Sequence, residues 1–309
     1  MKTRLWLNIA LIAIIAILVA VVYFRPGAKK PALPVPLTSL KATDIHDIKI
    51  AQPGAASVEL ARHGDTWQMT APVKIPADQY LVQSLLDDIH AAVKSGFAAK
   101  QVDLGKYGLD PPHIRLWLND TEFDFGDTEP LNNYRYILSG GRVLLTSGLL
   151  FYRINHRPYW WTSKRLLPEG ARITAIQLPD ATLTLKGTKW QLSPANPTVS
   201  SDAIQSLVDN WQNAQAIGTD KLGAGTSQGE VAIALANEKP ALRFVILKDP
   251  DFLVLARPDL GVQYDLDSSQ RDALLAFKSA SPPPRAATIT KPAGSTSKEL
   301  SPLRGRGSG

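Results

Sequence analysis

Three hydrophobic patterns follow one another along the chain. Residues 5–24 read LWLNIALIAIIAILVAVVYF, twenty positions without a charge and with Asn8 as the one clearly polar side chain. At 1.5 Å per residue a helix of that length covers about 30 Å, the hydrocarbon thickness of a bilayer. Trp6 and Tyr23 fall near its two ends, where amphipathic rings favour the headgroup layer. The apolar core of a cleaved signal peptide is shorter, about 7–15 residues. The run therefore predicts an uncleaved transmembrane anchor. Residues 45–70 then alternate apolar and polar with period two, as strands joined by hairpin turns do, and Gly64-Asp65 is a turn signal. From residue 78 the period lengthens. Tyr80/Leu81, Leu85, Ile89 and Ala92 recur at three-to-four spacing, which predicts a helix over 78–93 with Asp78 at its first turn. Alternation returns at 114–118, 122–125, 134–138 and 142–146.

The same order of patterns then appears again. Ile45-x-x-Ile48-x-Ile50 returns as Ile173-x-x-Ile176-x-Leu178. Val58-Glu59-Leu60 leading to Gly64-Asp65-Thr66-Trp67 returns as Leu183-Thr184-Leu185 leading to Gly187-Thr188-Lys189-Trp190. Gln83-Ser84-Leu85-Leu86-Asp87 returns as Gln205-Ser206-Leu207-Val208-Asp209, inside a helix predicted over 201–214 with Ser200 or Ser201 as its cap. The offset falls from 128 residues at the first strand to 123 at the tryptophan and 122 at the helix, as loop insertions in one copy would produce. Strands at 231–235, 242–247, 252–257 and 263–266, and a short helix at 269–277, complete the second copy. The predicted fold class is α+β: a transmembrane helix, then two tandem repeats, each an antiparallel sheet with a helix packed on one face.

The boundaries follow. Residues 1–25 are a cytoplasmic tip and anchor. The Pro-rich stretch 26–42 is an extended linker. The first repeat covers 43–155, a connector 156–171, and the second repeat 172–280. Residues 281–309, rich in Pro, Gly, Ser and basic side chains, form a disordered tail. The net charge of +6 divides into +5 over 1–30, +4 over 281–309 and −3 over the body. A mildly acidic body excludes the basic stripe of a nucleic-acid-binding face. The short N-terminal tail favours N-inside, which in a bacterium leaves a single-pass inner-membrane protein with its body in the periplasm. Cysteine is absent, so there is no disulfide framework, thiolate metal site or cysteine nucleophile.

The order of motifs resembles the bacterial family DUF4340. The residues that carry the resemblance are Gly64–Trp67, Pro76-Ala77-Asp78, the run Tyr107-Gly108-Leu109-Asp110-Pro111-Pro112, and Arg165-Leu166-Leu167 before the second Ile-x-x-Ile strand, over roughly 44–270. The second copy offers only Leu222-Gly223 against the Tyr-Gly-Leu-Asp-Pro-Pro run. Family members are similar to the extracytoplasmic parts found beside gliding-motility-type ABC transporter components. The resemblance thus implies membrane-complex subunits as partners, and it carries no catalytic residues.

The candidate chemistry is sparse. His46, His63, His90, His113 and His156 make no two-histidine metal spacing. No Walker loop, dinucleotide fingerprint or nucleophile elbow is present. Asp120, Glu122, Asp124 and Asp127 superficially resemble a calcium loop. Gly126 is out of register, however, and alternation with Phe123 and Phe125 assigns the acids to the wet face of a strand. No catalytic, cofactor-binding or metal residue is assigned, and no cofactor is expected. Trp67 and Trp190 are expected in the core under the helices, and Tyr107–Pro112 is expected to be a structural turn. Tyr159, Trp160 and Trp161 cannot all face inward from one strand, so at least one should be exposed or sit between the copies. These three are the candidate partner contact. The leading expectation is a non-enzymatic interaction module, an accessory or assembly factor of a membrane complex. A module for a cell-envelope glycan is the alternative, and a cryptic hydrolase the third.

Overall fold

The computed structural model describes residues 6, 11–20, 35–236 and 238–277. Residues 11–20 are helical and exposed. Among the described residues no helix is long and apolar enough to cross a membrane. Much of the expected anchor, the linker through residue 34 and the basic tail lie outside the described residues.

The body is built of antiparallel sheets with a few helices, an α+β architecture. The first sheet begins with β2 (Asp47–Ala51), β3 (Val58–His63) and β4 (Thr66–Ala71). A two-residue turn at Gly64-Asp65 closes the β3–β4 hairpin, with Arg62 opposite Trp67 and Gly64 at φ +60°, a conformation glycine adopts without a Cβ clash. The sheet continues with β5 (Ile75–Pro76), β7 (Ser95–Ala98), β8 (Ile114–Leu118), β9 (Thr121–Thr128), β10 (Tyr134–Ser139) and β11 (Arg142–Ser147). Its order is β5-β4-β3-β2-β8-β9-β10-β11-β7. The second sheet holds β12 (Ile173–Gln177), β13 (Thr182–Lys186), β14 (Lys189–Ser193), β15 (Gly218–Lys221), β16 (Ser227–Leu235), β17 (Glu238–Leu247), β18 (Phe252–Arg257) and β19 (Val262–Asp267). Its order is β14-β13-β12-β16-β17-β18-β19-β15. Both sheets therefore open with a hairpin, insert the strand that follows the helix at the far edge, and place the long meander between.

One helix follows each hairpin. α1 (Gln79–Asp88) is capped by Asp78, whose Oδ1 accepts from the Leu81 amide at 3.1 Å, and buries Val82, Leu85 and Leu86. The longer helix expected over 78–93 stops five residues early. Ala92–Val93 are instead strand β6, paired with β1 (Val35–Pro36). Val93 is β-branched and gains a ladder partner in Val35, which a helix would deny it. Residues beyond β1, read as the end of the spacer, lie against the body: Leu37 is buried and its amide donates to Ala91 O at 2.8 Å. α2 (Leu149–Ile154), absent from the periodic reading, follows β11. α3 (Ser201–Asn213), capped by Ser200, buries Ile204, Leu207, Val208 and Trp211, and the Trp211 Nε1–H donates to Leu274 O in α4 (Gln270–Leu275).

Two local expectations are corrected. Asp124 does not lie on a wet strand face. It is 8% exposed, within a buried run Phe123–Gly126 of β9, with Arg115 Nε 3.1 Å from its carboxylate. Burial pushes its pKa up to about 6, against the opposing pull of Arg115. The aromatic trio is not on a strand either. Pro158–Trp161 is a turn of 3-10 helix, whose three-residue period sends neighbouring side chains in different directions. Buried side chains from both sheets and from the segment between them form one continuous hydrophobic cluster.

Candidate functional site

The segment after Trp161 ties the sheets together. The Asp78 amide donates to Trp161 O at 2.8 Å, and the Ser163 amide donates to Pro76 O at 2.8 Å. On the other side the Ala216 amide donates to Lys164 O at 2.8 Å, and the Leu166 amide donates to Ala214 O at 3.3 Å. Thr219 Oγ1 donates to Tyr159 O at 2.7 Å. A side-chain ion pair, Lys164 Nζ to Asp78 Oδ2 at 3.2 Å, reinforces the first set. Trp161 and Thr162 are buried as a consequence.

Tyr159 is half-buried and Trp161 fully buried, while Trp160 remains 38% exposed. The Trp160 indole stacks on His156 at 4.6 Å between ring centroids, and Lys164 Nζ lies 4.8 Å from its ring. Burial, with the Arg153 charge, holds the His156 pKa below its ordinary value. Of the trio, Trp160 is the accessible aromatic.

The Tyr107–Pro112 run caps a 3-10 helix, Leu104–Tyr107. Gly108 takes φ +64°, and a Cβ there would meet the Asp127 carboxyl at 2.7 Å. Tyr107 packs against Phe97 and Tyr136, with centroids at 5.5 and 4.8 Å, and Leu109 is buried. Asp110 and Pro111 are exposed, and Pro112 is buried. Trp190 is half-buried against the core from β14.

Trp67 does more than fill the core. It lines a cavity of about 560 Å³ between the two sheets. The first sheet contributes the β3–β4 turn and the β5 segment. The joining segment contributes Ser163 and residues 165–169, and the second sheet contributes β17 and the β18–β19 turn. Gln79 shapes the near wall: its Oε1 accepts from the Trp67 amide at 2.7 Å, and its Nε2 donates to Trp67 O and Ala77 O at 2.8 Å. On the far wall Arg257 is held by Asp259 in a two-point pair at 2.9 and 2.8 Å, which keeps the Asp259 carboxyl below its usual pKa. Tyr264, buried beside it, has its phenol pKa raised by burial. Lys74, Arg165, Glu169 and Glu238 also border the cavity and make no ion pair within 4 Å among the described residues. Such a site can bind, but neither a nucleophile–base pair nor a ligand cluster for a metal is assembled among the described residues.

The family model described as a domain of unknown function, DUF4340, matches residues 67–225. The chain belongs to this family. The match is narrower than the 44–270 read from the motifs. No curated protein and no solved structure matches the chain. The DUF4340 span begins at Trp67 inside the first hairpin and ends after β15, so it cuts across both sheets and takes in the whole joining segment. It contains much of the cavity wall: Trp67, Pro76-Ala77 and Arg165-Leu166-Leu167. The cavity itself was hidden from sequence reasoning, because its wall comes from three separate stretches of chain, within 63–79, 163–169 and 238–264. Its one local signal was Arg165-Leu166-Leu167, an apolar pair beside a cation in the segment between the two sheets.

Proposed function

We propose that the chain is a membrane-anchored, extracytoplasmic, non-enzymatic interaction module, an accessory or assembly factor of a membrane complex such as an ABC transporter. The observation that carries this reading is Trp160: an exposed indole, stacked on His156, on a segment whose next two residues are buried and anchored, Trp161 O to the amide of Asp78 and Thr162 Oγ1 to Thr219 of β15. An aromatic held this rigidly loses little entropy on contact, the property of an interface anchor. The uncharged run 5–24 supplies the bilayer attachment, with the body in the periplasm, and the linker 26–42 spaces it from the lipid. The body is a tandem duplication, 43–155 and 172–280, joined by 156–171. Its support is the shared strand order and a repeated detail: Gln83 Nε2 donates to Asp87 at 2.9 Å in α1, and Gln205 Nε2 donates to Asp209 at 2.8 Å in α3.

A photo-crosslinking residue at position 160, used in intact cells, tests the reading. Adducts with the same membrane subunits in repeated experiments are expected, and Trp160→Ala should cut recovery of those subunits by tenfold or more. Recovery of the chain alone would overturn it. The exposed, cation-flanked Trp160 also fits a sugar-stacking platform. Pull-down on peptidoglycan that Trp160→Ala abolishes would favour that second reading.

A further inference from the structure

The inter-sheet cavity is distinct from Trp160, which does not line it, and its chemistry points to a ligand of its own. Depth sorts its charges. Lys74, Glu169 and Glu238 are exposed at the rim, where water weakens their fields and leaves them a secondary influence. Deeper in the wall stand two guanidiniums, buried Arg257 and half-buried Arg165. Arg257 already has its carboxylate in Asp259. Arg165 has none: its Nε is removed from solvent and meets no acceptor in the protein. A buried donor without an acceptor costs about 1–3 kcal/mol, more when charged, so such groups call for an explanation. Among the described residues the Arg135 Nε and Trp161 Nε1 donors share this condition, and one buried acceptor, Asp124 Oδ1, receives no hydrogen bond although Arg115 Nε lies 3.1 Å away. Of the residues that carry these four atoms, Arg165 alone borders a described cavity.

The rest of the buried wall is apolar. Trp67 and Ile75 face it from one sheet, Leu166 and Leu167 come from the joining segment, and Leu242 and Leu260 line it from the other sheet, half-buried. Small-molecule sites have this composition: mostly apolar, a few fixed polar groups, about 300–1,000 Å³, often where two structural units meet. The next cavity, about 500 Å³ over β2 and β3, lacks it: its cation Lys49 is already paired with Glu59 at 3.0 Å.

We propose that the cavity between the two sheets binds a small amphipathic anion, its carboxylate or phosphate on Arg165 with help from Lys74, and its apolar body against Trp67, Leu166 and Leu242. A guanidinium accepts either anion through two parallel N–H donors, so one chemistry covers both sources. The acids at the rim, Glu169 and Glu238, disfavour a second negative charge at the outer end, which selects one anionic head on an apolar body. The proposal stands apart from the partner-binding reading, because the two surfaces use different residues.

Full-length protein in lipid nanodiscs is titrated with 2-naphthoate, 2-naphthyl phosphate and the neutral 2-naphthalenemethanol, with protein-free nanodiscs as reference. Isothermal titration and ligand-observed NMR give the affinities. At least one anion should bind to the protein tenfold or more tightly than the alcohol, and the better of the two distinguishes carboxylate from phosphate. Arg165→Gln should remove that preference, weakening the anion tenfold or more while leaving the alcohol unchanged. Lys74→Gln, an exposed change with no packing to lose, should weaken the anion a few-fold, and it keeps the test valid should Arg165→Gln unfold the protein. Leu242→Trp, which fills the cavity, should abolish all binding, and Trp160→Ala should leave it intact. Equal affinity for anion and alcohol, no binding by any probe, or full anion binding in both charge variants would overturn the proposal.

Discussion

Close contacts at single residues decide what the chain tolerates. Gly126 is the sharpest case: a Cβ there would lie 2.2 Å from Tyr107 O and 2.8 Å from Leu109 Cγ, a collision with backbone that no rotamer relieves. Gly64 needs its positive φ but has open space around it. Gly126→Ala should therefore cost upwards of about 3 kcal/mol of stability, against about 1 kcal/mol for Gly64→Ala, measured by urea denaturation. The Tyr107–Pro112 run thus has a packing role against β9. Its turn residues and the strand at 122–125 were legible in the sequence, but the contact between them was not, because periodicity describes each segment and not which segments meet. Asp124 makes the second residue-scale test. Its pKa rises on folding to about 6 from an unfolded value of 3.8, so the folded state binds the proton more tightly. Stability from this group is highest below pH 4 and declines as pH climbs from there through 6. Relative to Asp124→Asn, which cannot titrate, wild type should lose on the order of 2 kcal/mol between pH 4 and 7. A difference that grows with pH instead would reverse the sign and refute the burial account. Alternation with Phe123 and Phe125 placed Asp124 on the opposite strand face correctly. It could not reveal that this face is also covered at that point.

At the scale of elements, the two helix starts look alike in sequence and differ in load. Ser200 caps α3 through one bond to the Ala203 amide at 3.1 Å. Asp78 caps α1 and also holds Lys164, with both side chains about one-fifth exposed. Ser200→Ala should cost about 1 kcal/mol and Asp78→Ala about 2 kcal/mol. In a double-mutant cycle with Lys164→Met, the Asp78 change should show about 0.5–1 kcal/mol of coupling, and zero coupling would assign the whole cost to the cap. Elements with a strong period were legible. The strands at 114–118 and 252–257 have the predicted bounds: the first alternates buried with more exposed positions, which leaves little freedom of register, and the second is buried on both faces after Phe252. Short or edge elements were not. β7, Ser-Gly-Phe-Ala, carries almost no alternation and is recruited by β11, where Gly96 allows close approach: a Cβ there would meet Val143 O at 3.0 Å. β15 and α2 are also short, at four and six residues, and tertiary contacts rather than their own periodicity hold them.

For the whole molecule, the two sheets share one core, and the segment 156–171 is part of it rather than a free tether. Trp161, Leu166 and Leu167 are buried in the same continuous cluster as Leu85 of α1 and Trp211 of α3. Backbone bonds from that segment run to residues 76–78 on one side and 214–216 on the other. Opening one sheet would strip hydrogen-bond partners from the segment and expose its buried side chains, removing part of the other sheet's packing. Independent repeats would unfold in two steps, whereas this arrangement couples them. Fluorotryptophan placed at Trp67 or at Trp211 reports on each sheet by ¹⁹F NMR. In the full-length protein the two probes should show coincident urea midpoints and a single transition. Lys164→Met, which removes the ion pair across the joint, should shift both midpoints together. Separate midpoints in wild type would mean that the sheets fold as independent units. The cavity between them would then open and close with their relative motion, instead of being a preformed site.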